Sequence, residues 1–269
     1  MSPELEPRIS SIEPSFMIIK ISSLPEKLMK ILEILLSVDP YFFESINNTP
    51  TNPIALWYGL LHILQDLKID VSRIKKIVDF GCGLGVPLAI IASVVMELQK
   101  NNENREITVR GFDIDTKAIE QAKELFNKLN NPEEELFYGL NFSFGTIIGD
   151  GFDYPDIVFC YPQQGQMSDE FMNYVKKVFE KNPNAIIIVN CFTNFFGEDY
   201  LGIELKLKTD PQNVLGREIV VNGQIIAKVI RYFPVLVQIT GEAGEKGTPQ
   251  AQANILILVS PNNNNYLVA

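Results

Sequence analysis

Hydrophobic positions from residue 23 onward fall three and four apart. Leu24, Leu28, Ile31, Leu32 and Leu35 form one stripe behind a capping-box pattern, with Ser23 as cap and Glu26 three residues on. Asp39-Pro40 closes this helix. Beyond Tyr41-Phe42-Phe43, Asn52-Pro53 opens a second helix, with Asn at the cap and Pro at the first helical position. It runs from about Pro53 to Leu67, with Ile54, Trp57, Leu60, Leu61 and Leu64 on one broad face. Tyr58, His62 and Asp66 occupy the other face, four residues apart and in mutual reach. Residues 1–22 lack this period and are expected to be a flexible arm; 23–73 read as a helical extension or lid.

From residue 74 the pattern alternates. A strand at Ile74–Phe80 leads into a helix from Val86 to about Gln99, apolar nearly all round as befits a helix pressed on a sheet. A strand at Ile107–Asp113 and a helix capped by Asp115 or Thr116 and running to about Leu129 follow. Phe142–Ile148 and Asp156–Cys160 read as strands, Phe171–Lys181 as an amphipathic helix, and Ala185–Cys191 as an apolar strand suited to a sheet interior. Such β-α-β alternation predicts a parallel sheet with helices on both faces. The tail differs: Arg217–Val221 and Gln224–Ile230 flank Asn222-Gly223, a strong hairpin signal. Val235–Thr240 and Asn254–Val259 are two further strands, so a parallel sheet ends in an antiparallel region.

Composition narrows the function. A hydrophobic content of 46% with 21% charged residues allows a substantial core in 269 residues. The formal net charge of −10 argues against a nucleic-acid binder, which usually carries a basic field. Small molecules and proteins remain as substrates. Cys82, Cys160 and Cys191 form no Cys-x-x-Cys pair and there is one His, so neither a metal site nor a disulfide framework is expected. Met1–Pro14 has no apolar signal core, and the apolar run Ile77–Met96 is broken by Asp79, three glycines and Pro87. The expectation is a cytoplasmic protein with no membrane span.

The candidate chemistry centres on Asp79-Phe80-Gly81-Cys82-Gly83-Leu84-Gly85-Val86, where a buried strand turns into a helix. Glycines permit a sharp turn and close ligand approach, and a helix N-terminus is expected to present unpaired N–H groups there. A nicotinamide-binding turn wants its third glycine at position 86, which is Val. Asp-x-Gly-x-Gly-x-Gly instead resembles motif I of the class I S-adenosylmethionine-dependent methyltransferases. Three more segments extend the resemblance. Arg110-Gly111-Phe112-Asp113-Ile114-Asp115 resembles the second motif, implying that Asp113 accepts hydrogen bonds from the ribose hydroxyls. Gly149-Asp150-Gly151-Phe152 resembles the segment after strand 3, implying adenine contacts by Asp150 and Phe152. Asp156-Ile157-Val158-Phe159-Cys160-Tyr161-Pro162 resembles motif IV.

The resemblance implies a Rossmann-like α/β/α sandwich over 74–269. It has a seven-stranded, mostly parallel sheet with an antiparallel last strand, and here carries an N-terminal helical extension and an extra β-hairpin near the C-terminus. It implies an enzyme that uses S-adenosyl-L-methionine and a methyl acceptor, held through Asp79, Gly81, Cys82, Gly83, Gly85, Asp113, Ile114, Asp150, Gly151, Phe152 and Cys160. For the cysteines, a small buried hydrophobe is the commoner role. A nicotinamide-dependent oxidoreductase is the rival, weakened by Val86 and by the absence of a Tyr-x-x-x-Lys pair; a non-catalytic protein of the same fold is the other.

The acceptor is less legible. Cys160-Tyr161-Pro162-Gln163 lacks the Asn/Asp-Pro-Pro-Tyr of enzymes that methylate base or amide nitrogens, and only Asp169 and Glu170 stand where protein-arginine enzymes place two glutamates. The loop's Tyr161, Gln163, Gln164 and Gln166 are neutral hydrogen-bonders suited to an acceptor pocket. Tyr161 and His62 are the candidate catalytic residues; a surface His beside a carboxylate is the commoner role for His62. Transfer from a sulfonium can rest largely on proximity, and requires a base only where the acceptor loses a proton early.

Overall fold

The computed structural model describes residues 15–38, 52–99, 106–131, 135–146, 154–161, 169–190, 216, 218–221, 223–240 and 250–263. Its strands are β1 (Ser15–Lys20), β2 (Lys76–Phe80), β3 (Ile107–Phe112), β4 (Leu140–Gly145), β5 (Ile157–Cys160), β6 (Ile186–Asn190), β7 (Glu218–Val221), β8 (Gln224–Thr240) and β9 (Gln250–Val259). Its α-helices are α1 (Glu26–Val38), α2 (Pro53–Asp66), α3 (Val86–Leu98), α4 (Thr116–Leu129) and α5 (Asp169–Lys181). One nine-stranded sheet runs β1-β8-β9-β6-β5-β2-β3-β4, with β7 also paired to β8. Strands β2 to β6 pair in parallel, and β9 lies antiparallel between β6 and β8.

Side chains alternate across this sheet as a period of two requires. Ile77, Ile157, Phe159, Ile186, Ile188, Ile255, Ile257 and Val235 face one core with α1, α2, α3 and α4. Val78, Val158, Cys160, Ile187, Val189, Leu256 and Leu258 face the other, covered by α5 through Phe171, Val175 and Val178. The α/β/α layering expected from the sequence is therefore present. Helix α3 is buried nearly all round because α1 and α2 pack over its outer side.

Helix α2 starts as its sequence dictates: the Asn52 side chain accepts from the N–H groups of Ile54 and Ala55, and Pro53 needs no donor. Its fully buried Trp57, Leu60 and Ile63 each contribute about 1.5–3 kcal/mol by leaving water. At the opposite end of the sheet from the glycine turn, Asp156 Oδ2 accepts from Lys75 N–H (2.8 Å) and Lys76 N–H (3.0 Å), tying the starts of β2 and β5 together. Gln99, buried at the end of α3, donates through Nε2 to the carbonyls of Val71 and Ile74.

Three expectations change. Residues 15–20, assigned to a flexible arm, form β1, which pairs in parallel with β8 from Ser15 opposite Val235 to Lys20 opposite Thr240; residues 1–14 lie outside the described residues. Ser23 does not cap α1: its hydroxyl donates to Lys20 O within a short 3₁₀ turn, and α1 begins at Glu26. The strands expected at Gln224–Ile230 and Val235–Thr240 are one strand, β8, bent by a bulge between Val229 and Arg231. Pro234 is tolerated there because the outer edge of β8 passes from β7, whose pairing reaches no further than Lys228, to β1, which begins opposite Val235. Helices α1 and α2 pack into the same core as the sheet.

Candidate cofactor site

The chain leaves β2 at Phe80 and reverses through Gly81, Gly83 and Gly85, all at positive φ (80°, 49° and 77°). Gly85 shows why a side chain is excluded. Besides its left-handed backbone, a Cβ there would meet Ala122 at 3.1 Å and Phe126 at 3.2 Å, so this glycine lets α3 and α4 close together. A Cβ on Gly81 or Gly83 would meet nothing within 4 Å, so these two border open space. Close packing also explains Gly111 on β3, whose Cβ would lie 2.6 Å from the Phe144 ring and 2.7 Å from Cys82 Sγ. The sequence offered no signal for that contact beyond the glycine itself.

The turn's amides face inward. Gly81 and Cys82 both donate to Phe112 O at 2.8 Å, and Gly85 donates to Cys82 O at 2.8 Å. Gly83 N–H donates to Asp113 Oδ2 at 2.7 Å, while Asp113 Oδ1 accepts from Asp115 N–H at 2.9 Å. Pro87 has no N–H to offer. The N–H groups of Gly81, Cys82 and Gly83 are thus engaged within the protein, because the end of β3 lies close enough to take them. Asp115, not Thr116, caps α4 by accepting from Lys117 N–H.

Two carboxylates flank the turn. Asp79 is fully buried, and neither carboxylate oxygen has a hydrogen-bond partner. Burial pushes its carboxyl well above the usual range, and the nearby charge of Asp113 pushes it further. Asp113 is half-buried and keeps spare acceptor capacity, since an ionised carboxylate has about four lone-pair sites. Next to it, the apolar side chain of Ile114 is 94% exposed. Burial above all pushes the Cys82 thiol up, which makes it an inert filler between β2 and β3. Cys160 is likewise buried, in the core under α5.

The structure brings Asp79, Gly81, Cys82, Gly83, Gly85, Asp113 and Ile114 together at the carboxyl ends of β2 and β3. Tyr161 joins them from the next strand: Phe80 is opposite Cys160, so Tyr161 follows at the level of Gly81, one strand spacing of about 4.8 Å away. It is half-buried and packs on the core beneath α3. Asp150, Gly151, Phe152, Gln163, Gln164, Gln166 and Cys191 lie outside the described residues. His62 is not brought to the turn. It stacks on Phe233 of β8 (centroids 4.7 Å apart, planes at 28°), and β8 lies four strands, or about 19 Å, from β2. Asp66 on the same helix pairs with Arg231 of β8, and burial raises the Tyr58 phenol.

One polar feature escaped the sequence reading. Asn190, ending the apolar strand β6, is fully buried and accepts from Asn254 N–H at 3.1 Å; Tyr232 Oη donates to Asn254 Oδ1 at 3.1 Å. A lone Asn closing the run Ile186–Val189 was the available signal. Among the described residues, no group of three or more His, Cys, Asp or Glu side chains is placed to hold a metal ion. No helix among them is long and apolar enough to cross a membrane.

No family model and no curated protein matches the sequence. Solved structures do resemble it. A candidate class I S-adenosylmethionine-dependent methyltransferase of Listeria monocytogenes superposes with a TM-score of 0.50 at 14% identity, over 89% of this chain and 69% of its own. The fold is that of the class I methyltransferases. A methyltransferase of Aquifex aeolicus matches with a TM-score of 0.43 at 15% identity, over 86% of this chain and 98% of its own. A tRNA (uracil-54, C5)-methyltransferase of Pyrococcus abyssi, solved with S-adenosyl-L-homocysteine, matches with a TM-score of 0.36 at 14% identity over 74% of this chain. The chain spans only 38% of that longer protein. Within the class I methyltransferase fold, β1 and β7 are additions on the outer edge of β8.

Proposed function

We propose that the protein is a methyltransferase that binds S-adenosyl-L-methionine at the carboxyl ends of β2 and β3. The observation that carries this is the polarity of the turn: the N–H groups of Gly81, Cys82, Gly83 and Gly85 are engaged within the protein, and two acids, Asp79 and Asp113, flank it. A pyrophosphate wants free N–H donors at a helix N-terminus. Here it would meet the negative charge of Asp113 beside the turn, which disfavours the nicotinamide reading. A nucleoside with ribose hydroxyls and positive charge suits the site. In this assignment the remaining lone pairs of Asp113 accept the ribose hydroxyls, Ile114 offers an apolar face to the adenine, and Gly81 and Gly83 let the ligand lie close to the backbone. Asp150, Gly151 and Phe152 complete the adenine side by their place after β4 in the sequence. Cys82 and Cys160 support the floor of the site.

S-adenosyl-L-methionine, when bound, supplies an activated methyl group. The chain's task is then to hold the acceptor in line with it and to exclude water. Tyr161, at the level of Gly81, is the described side chain best placed to orient an acceptor. We assign acceptor choice to the loop from Tyr161 to Met167 and to the α1–α2 region. A protein side chain or a small metabolite fits the net charge of −10 better than a nucleic acid does. Incubation of the protein with methyl-labelled cofactor and fractionated cell lysate tests this. Label should enter a protein or a small-molecule fraction; label in nucleic acid alone would refute the acceptor class, and no transfer under binding conditions would refute the enzyme.

A further inference from the structure

Asp79 poses a problem that the proposed cofactor also solves. It is a carboxyl group at the foot of the glycine turn, fully buried, with no donor on either oxygen. Among the described residues, the groups around it offer no cation. Gly111 lies opposite it on β3 and Phe159 on β5, while α3 is uncharged from Val86 to Met96. Among the described residues, the titratable groups in electrostatic reach are Asp113 and the Cys82 thiol, of which Asp113 opposes a second negative charge. An isolated buried carboxylate costs many kcal/mol, so the group takes up a proton instead. Its neighbour Asp113, by contrast, accepts from the N–H groups of Gly83 and Asp115.

We propose that this site takes its nucleoside as a cation in exchange for a proton, with Asp79 a neutral acid in the empty protein and a carboxylate in the complex. The inference rests on the cofactor reading above and adds a role for Asp79 as the group that selects positive charge. The balance is simple. The Oδ–H bond of Asp79 breaks, its electron pair stays on the oxygen, the proton leaves to buffer, and the ligand's positive charge replaces it. Nothing is oxidised or reduced. Two positive groups on the cofactor qualify, the sulfonium and the α-ammonium. S-adenosylhomocysteine keeps only the second, and 5′-methylthioadenosine has neither.

Calorimetric titration of the full chain in buffers of different ionisation enthalpy counts the protons directly. At pH 7, S-adenosylmethionine is expected to release about one proton per site, and below neutrality its affinity should rise with pH by up to about tenfold per pH unit. Methylthioadenosine should release none. Release by S-adenosylhomocysteine as well would place the exchange at the ammonium, and release by the sulfonium compound alone would place it at the sulfonium. In Asp79→Asn, which keeps the shape of the neutral acid, binding should weaken and both the proton release and the pH slope should vanish. Tight binding of S-adenosylmethionine by the wild-type chain with no proton released between pH 6 and 8 would overturn the exchange and leave the cofactor reading standing. Equal release by Asp79→Asn would overturn the assignment to Asp79. Failure of every nucleoside to bind would overturn the cofactor reading and the exchange with it.

Discussion

The two halves of the sheet are built by different rules. The β2-β3-β4 half is made of consecutive strand-helix-strand units, so each contact that shapes the glycine turn comes from a neighbour in the chain. The β8-β9-β1 half is assembled from pieces far apart in sequence: Ser15 pairs with Val235, and Asn190 takes the amide of Asn254. The local half carries the candidate cofactor chemistry, and the non-local half carries the features that distinguish this chain, with α2 packed across it. Function in the first is a matter of backbone turns and two acids. In the second, the proposal rests on shape where the carboxyl ends of β5 and β6 meet the start of β9.

This contrast can be broken by substitutions that act on one half only. The largest expected effect is Asp113→Ala, which removes the acceptor for Gly83 and Asp115 N–H together with the proposed ribose contact. Charge-assisted bonds contribute about 1.5–3 kcal/mol each, so cofactor affinity should fall by about 100-fold or more in an equilibrium titration. An unchanged affinity would remove Asp113 from the site. On the other half, Gly59→Val should destabilise by about 1–3 kcal/mol, because a Cβ at Gly59 meets Ile255 at 2.6 Å and Val235 at 2.8 Å. Denaturant titration should detect that loss while cofactor affinity stays the same. A matching drop in affinity would mean that the halves are coupled.

A smaller effect, of opposite sign, is expected for Asp79→Asn in the empty protein. Asp79's folded pKa lies well above its unfolded value of about 3.8, so the folded state holds the extra proton between the two. Stability therefore falls as pH rises from about 4 toward the folded value, by up to about 1.4 kcal/mol for each pH unit crossed. Removing the titration should raise the melting temperature at pH 7 by at least about 2–4 °C, with the gain shrinking toward pH 4. A gain that did not change with pH would contradict the burial argument. His62→Ala should do least: loss of a stack on Phe233, about 0.5–1 kcal/mol of stability, and acceptor turnover within about twofold of wild type. A hundredfold loss of turnover would bring His62 into the reaction despite its distance from the turn.

Legibility in the sequence followed the same division. Asp79, the three glycines and Asp113 could be read because strand, turn and acid lie within a few residues of one another and their order carries the geometry. The inward engagement of the turn's amides could not, since it depends on where Phe112 O sits on the adjacent strand. Strand β1 was illegible because Ser15–Lys20 is short and lacks alternation, and nothing near it in the chain is its partner. Strand β8 was split in two because Pro234 reads as a breaker until the outer edge of β8 is known to change partners there. Asn190 looked like the end of an apolar strand; only the fold reveals its bond to β9.

The central claim is that the turn between β2 and α3 holds a positively charged nucleoside and not a pyrophosphate. It is tested most directly by parallel calorimetric titrations of the purified chain with S-adenosylmethionine, S-adenosylhomocysteine and NAD. The account predicts saturable binding of the two sulfur nucleosides at micromolar concentrations and no binding of NAD. Saturable binding of NAD with no response to either sulfur nucleoside would contradict it.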